Sequence, residues 1–150
     1  MAFANDTLVL TPEGDRQITK IKVNDLVQVR MDDESWESTS VDFSAGTLTK
    51  TIVYTISYGG GQQIIVTPDQ LLLVSEELLK PAKDLVLTDS LMDKSSNAIT
   101  ITDISIEEYL GGVHSIATSE HPTANTDGHL LLCNGIIVGG YALEMGYRMD

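Results

Sequence analysis

Two apolar runs near the end of the chain, Leu130–Cys133 and Ile136–Val138, flank the dipeptide Asn134-Gly135. Asn-Gly between apolar runs predicts a β-hairpin, because a two-residue type I′ turn needs positive φ at both positions. Neither run alternates with polar residues, so both faces of this ribbon are expected to be covered. A doubly covered hairpin is a central element, and the rest of the chain is expected to wrap it.

The remaining pattern is one of short strands. Asp6–Thr11 reads as a strand ending in the turn Pro12-Glu13-Gly14. Asn24-Asp25 makes a tight turn before the strand Leu26–Arg30. Met31–Ser40 is polar and acidic, and reads as a surface loop carrying Trp36. Thr47–Tyr58 alternates and is rich in β-branched residues, which predicts one long strand. Gly59-Gly60-Gly61 closes a hairpin into Gln62–Thr67. These glycines are no phosphate cradle, since no Lys-Ser/Thr and no helix follow. Leu71–Val74 is a further strand, and Glu76–Leu79 reads as a short helical turn ended by Pro81. Asp84–Leu91 repeats the turn-and-strand pattern. Ala98–Ile104 is a strand, and another begins at Gly111–Ile116. Ser119–Gly128 is a loop by composition, and Tyr141–Asp150 is a tail with one helical turn. Many short strands, turn signals every 8–12 residues and little helical periodicity predict an all-β domain.

Part of the pattern occurs twice. A shift of 64 residues lays Ile21 on Leu85, Val23 on Leu87, Asp25 on Asp89 and Val27 on Leu91. An apolar strand, a turn, and then apolar-x-apolar-x-Asp-x-apolar appear in each copy. Two like halves would build a pseudo-two-fold domain that brings its ends together.

Composition narrows the class. A chain of 150 residues with 42% hydrophobic content suits one globular domain. The net charge of −13 argues against a nucleic-acid or anionic-membrane surface and favours solubility. No apolar run is long enough to span a bilayer, and MAFANDTLVL lacks the basic start of a signal peptide. The single cysteine, Cys133, permits no internal disulfide and reads as a small buried hydrophobe. His114, His121 and His129 show no compact metal spacing, so no metal or other cofactor is expected. No G-x-S-x-G, H-E-x-x-H or P-loop motif is present.

In order and spacing, the motifs resemble those of a Hint domain, the fold shared by inteins, bacterial intein-like domains and the Hedgehog C-terminal domain. The similarity runs from Ala2 to about Tyr141. Ala2-Phe3-Ala4-Asn5-Asp6-Thr7 stands where the family opens with Cys, an apolar run and Gly-Asp-Thr. Thr67-Pro68-Asp69-Gln70 stands at its Thr-x-x-His motif. His129-Leu130-Leu131 stands at its His-led strand, and Asn134-Gly135-Ile136-Ile137-Val138-Gly139-Gly140 at Asn-Gly-apolar₃-His-Asn. The resemblance implies an intertwined, pseudo-two-fold β horseshoe over residues 1–141, with a tail at 142–150. It also implies autoprocessing. The first Cys attacks the preceding carbonyl, an N→S acyl shift that yields a thioester. The Thr and His of the second motif distort the scissile amide and protonate its nitrogen. The His on the penultimate strand assists collapse of the intermediate. In splicing members a terminal Asn then cyclises.

By this resemblance the candidate site residues are Ala2, Thr67, Gln70 and His129. The opening tripeptide is expected to lie against the late ribbon, within reach of Thr67 and His129. Four departures bear on activity. A methyl group at Ala2 has no lone pair with which to attack. Gln70 can hydrogen-bond but cannot shuttle a proton near neutral pH. Gly139-Gly140 leaves no Asn to cyclise. Only Met1 precedes Ala2, which leaves little to release. Each retained residue also has a plain alternative: Thr67 as a strand end, His129 as a structural histidine, and Asp69 with Asp6 as solvated turn acids. Ala2 can be read as a Cys→Ala exchange in a self-cleaving domain, whose partner is its own upstream segment and which is a monomer. It can also be read as native to a degenerate, non-catalytic interaction module. An unrelated acidic β domain is the third alternative, and a different fold would select it.

Overall fold

The computed structural model describes residues 2–149. The strands are β1 (Phe3–Ala4), β2 (Leu8–Thr11), β3 (Gly14–Gln17), β4 (Leu26–Arg30), β5 (Trp36–Ser40), β6 (Phe43–Thr47), β7 (Thr51–Tyr58), β8 (Gln62–Val66), β9 (Leu71–Val74), β10 (Leu78–Pro81), β11 (Ser90–Met92), β12 (Ala98–Tyr109), β13 (Val113–Ala117), β14 (Leu130–Cys133) and β15 (Ile136–Gly139). One helix, α1 (Tyr141–Met149), follows them. Every strand pair is antiparallel, and the strands join in one winding sheet. Among the described residues no helix is long and apolar enough to cross a membrane.

The β14–β15 hairpin is the centre of the molecule, and all eight of its strand residues are buried. Its turn residues Asn134 and Gly135 have φ of 50° and 81°, the left-handed values that an Asn-Gly turn accepts cheaply. Burying each Leu, Ile or Val of the ribbon stabilises the fold by about 1.5–3 kcal/mol. The ribbon also serves as a seam. Cys133 of β14 pairs with Val9 of β2, and Val138 of β15 pairs with Leu72 of β9.

Those two contacts belong to matching halves. Thr7 N–H donates to Ala4 O at 2.9 Å, as Gln70 N–H does to Thr67 O at 3.1 Å. Ile21 N–H reaches Ile18 O at 3.2 Å, and Leu85 N–H reaches Ala82 O at 3.2 Å. The carboxylate of Asp25 accepts from Lys22 N–H, and that of Asp89 from Val86 N–H. The repeated Asp therefore caps the same turn twice. The repeat extends upstream of the segment legible in the sequence, to Ala4–Thr7 and Thr67–Gln70.

Four expectations need correction. Trp36–Ser40 is a strand, not a loop: it pairs with β4, and Trp36 Nε1–H donates to Lys94 O at 3.1 Å. Glu76–Leu79 is not helical. Glu76 and Glu77 have φ of 71° and 61° and form the turn of the β9–β10 hairpin. Thr47–Tyr58 is broken at Leu48–Lys50, where Thr47 Oγ1 accepts from Thr49 N–H. The tail holds a nine-residue helix instead of a single turn; Asp150 lies outside the described residues.

Candidate functional site

The strand β1 has only two residues, yet it lies between β8 and β13. Phe3 pairs with Val66 on one side and with His114 on the other. One step upstream, Ala2 meets Thr67. Thr67 N–H donates to Ala2 O at 2.9 Å, and Ala2 N–H donates to Thr67 Oγ1 at 2.7 Å. The Thr67 hydroxyl lies 3.3 Å from Ala2 O and can donate to it. Thr67 thus engages both peptide groups that flank Ala2, including the nitrogen of the bond joining residues 1 and 2.

Side chains alternate across a sheet, and antiparallel partners share a face. Ala4 pairs with Val113, which places Ala2 on the same face as Val113 and Ser115. On that face is a trough of about 270 Å³ lined by Ala2, Thr67, Val113, Ser115, Ala45 and Tyr141, among others. Tyr141 stacks on Phe43 at one end, with ring centroids 5.1 Å apart. Residue 2 and the residue that follows Gly140 therefore face one trough, which brings the two ends of the β domain together. Ser115 carries no charge and sits in an ordinary strand, so sequence reasoning passed over it. The signal was its register, two residues beyond the Val113 that pairs with Ala4.

Gln70 and His129 are placed otherwise. Gln70 is 1% exposed and does not line the trough. Its Nε2 donates to Leu71 O at 3.0 Å and to Gly139 O at 2.8 Å, which uses both amide protons. A Cβ at Gly139 would stand 3.2 Å from Leu71 Cβ, so glycine permits this close approach. His129 is half-buried, and its Nδ1 lies 3.3 Å from Thr118 Oγ1. Burial lowers its pKa below the usual 6.5, partly opposed by Asp127. His129 O accepts from Gly140 N–H at 3.0 Å, which ties the residue to the end of the ribbon. The tripeptide pairs with β8 and β13, and Phe3 shares a buried cluster with Leu131, Cys133, Ile136 and Val138 of the late ribbon. Asp69 lies 3.6 Å from Lys83.

No family model matches the chain, and no curated protein matches it. Solved structures do. A bacterial intein-like domain from Clostridium thermocellum matches with a TM-score of 0.79 at 22% identity, covering 93% of this chain and 98% of that one. The fold is that of an intein. The gp41-1 intein matches with a TM-score of 0.73 at 22% identity, over 93% of this chain and 98% of its own. A DnaB intein from Synechocystis matches with a TM-score of 0.74 at 20% identity, over 93% and 97%. Among the described residues no cluster of His, Cys, Asp or Glu could hold a metal ion. Cys133 is fully buried, and burial raises its thiol pKa, so it is no nucleophile in the folded state.

Proposed function

We propose that the parent form of this domain cleaves the peptide bond that precedes residue 2. A cysteine at position 2 attacks the carbonyl carbon of residue 1. The sulfur–carbon bond forms, the carbon–nitrogen bond breaks, and the departing nitrogen takes up a proton. The upstream peptide is left as a thioester on the side chain, which water or another nucleophile opens. The observation that carries this reading is the 2.7 Å bond from Ala2 N–H to Thr67 Oγ1, because it marks the nitrogen that departs. Thr67 orients the scissile peptide group, and Ser115 offers a second hydroxyl on the same face. His129 sits at the ribbon end and is assigned the later step, collapse of the intermediate. The chain as written is inert, since the Ala2 methyl cannot attack. With Gly140 where the resemblance places the cyclising Asn, no side chain cyclises there.

The test is an Ala2→Cys chain with a peptide attached upstream. Thiol should accelerate cleavage at the junction of residues 1 and 2. A precursor that stays intact through prolonged incubation with thiol would overturn the proposal. One observation favours a second reading, a non-catalytic interaction module: both amide protons of Gln70 are committed to backbone carbonyls, as in a structural brace. If Ala2→Cys combined with Gln70→His is also inert, the module reading stands.

A further inference from the structure

Asn134 does more than form the hairpin turn. Its Oδ1 accepts from Leu8 N–H at 2.9 Å, and its Nδ2 donates to Gln63 O at 3.0 Å. Its backbone N–H donates to Leu8 O at 2.9 Å, and its carbonyl accepts from the Tyr58 hydroxyl at 2.6 Å. One carboxamide therefore joins the start of β2 to the start of β8.

That link closes a loop in the topology. The strand β1 leads into β2, and β8 leads to Thr67. The ladder between β1 and β8 consists of one pair, Phe3 with Val66. On its other side β1 pairs with β13 at two residues, Phe3 with His114 and Ala4 with Val113, and Asn5 N–H donates to Gly112 O at 3.1 Å. Ladders of one and two pairs specify register weakly, and a slip of one residue would turn Ala2 to the opposite face. The Asn134 carboxamide pins the far ends of the same two segments, Leu8 on one and Gln63 on the other.

We infer that Asn134 is a positioning residue, whose side chain sets the register that places the residue-2 nitrogen on Thr67. The inference rests on the proposed cleavage only for its kinetic consequence. The placement of Ala2 can be read without any cleavage.

The experiment has two arms. In the present chain, NMR follows the Ala2 amide shift and its hydrogen exchange in Asn134→Gly, which keeps the turn but removes both side-chain bonds. Tyr58→Phe is the control, because it removes a bond to the same residue without touching the link from Leu8 to Gln63. Asn134→Gly should shift the Ala2 amide and abolish its protection while the core amides of β9 and β15 stay protected. Tyr58→Phe should leave the Ala2 amide unchanged. In the second arm, cleavage of the Ala2→Cys precursor is measured under conditions where every variant is folded. Asn134→Gly should slow it by about 10- to 100-fold, the scale carried by a misplacement of about 1 Å. Asn134→Asp keeps the acceptor for Leu8 but loses the donor for Gln63, and should fall between. An Ala2 amide unmoved by Asn134→Gly, or moved equally by Tyr58→Phe, would overturn the inference. If the precursor with Asn134 intact fails to cleave, the proposed reaction falls, and the first arm still decides the role of Asn134.

Discussion

The Gln70 brace yields a prediction whose size and pH dependence follow from its geometry. Its Nε2 spans Leu71 O at 3.0 Å and Gly139 O at 2.8 Å in a site closed to water. Each neutral hydrogen bond contributes about 1 kcal/mol net, and buried carbonyls left unpaired add to the loss, so Gln70→Ala should cost about 2–4 kcal/mol. Gln70→Glu separates hydrogen bonding from volume. An ionised carboxylate has no proton to give and would face two carbonyl oxygens, so the folded state favours the protonated acid. The folded pKa of the new group then lies above its unfolded value of about 4.3. A raised pKa gives stability that is present below the unfolded pKa and lost as pH rises through the folded one. Relative to the parent at the same pH, Gln70→Glu should match or exceed the loss of Gln70→Ala at pH 7.5. Near pH 4 it should recover part of that loss, because one O–H replaces two N–H donors. Urea unfolding followed by Trp36 fluorescence measures both, with Gln70→Leu as a control whose difference from the parent should not change with pH. A loss for Gln70→Ala under about 0.5 kcal/mol, the range of ordinary surface changes, would refute the brace. So would a Gln70→Glu loss that is the same at both pH values.

Other consequences can be checked separately. In the Ala2→Cys precursor, Thr67→Val should slow cleavage about 100-fold, as expected when one oriented polar group is removed from a reacting centre; a gel time course reads this. Tyr58→Phe should cost about 1 kcal/mol in urea unfolding through loss of the 2.6 Å bond to Asn134 O. His114 and His129 are both lowered from the usual 6.5, chiefly by burial, with Lys22 adding to the effect at His114. Their neutral forms therefore support folding above pH 6.5, and that support is lost as pH falls through their folded pKa values. NMR titration should place both below 6.5, and replacing both with Gln should flatten the stability profile in that window.

Much of the fold was legible, and for identifiable reasons. The ribbon, β4 and β9 announce themselves by apolar runs bounded by Asn-Gly, Asn-Asp or the end of a polar turn. The strand at Trp36–Ser40 was hidden because an exposed edge of Glu, Ser and Thr carries no apolar signal; its partner β4 and the bond from Trp36 to Lys94 hold it. The β9–β10 turn was hidden because two glutamates take left-handed φ without the usual Asn or Gly. At the site, the pairing of Ala2 with Thr67 was visible through motif order. The side-chain bonds of Gln70 and Asn134 and the place of Ser115 were not, since they depend on partners far away in sequence: Gly139 for Gln70, Gln63 and Leu8 for Asn134, and strand register for Ser115.

The central claim is that a nucleophile at position 2 would receive the acyl group of residue 1. Mass spectrometry of an Ala2→Cys precursor incubated with a small thiol tests it most directly. The account predicts an upstream peptide whose C-terminal acyl group carries that thiol as a thioester, together with a domain that begins at residue 2. Recovery of only the intact precursor, or of an upstream fragment cut at any other bond, would contradict it.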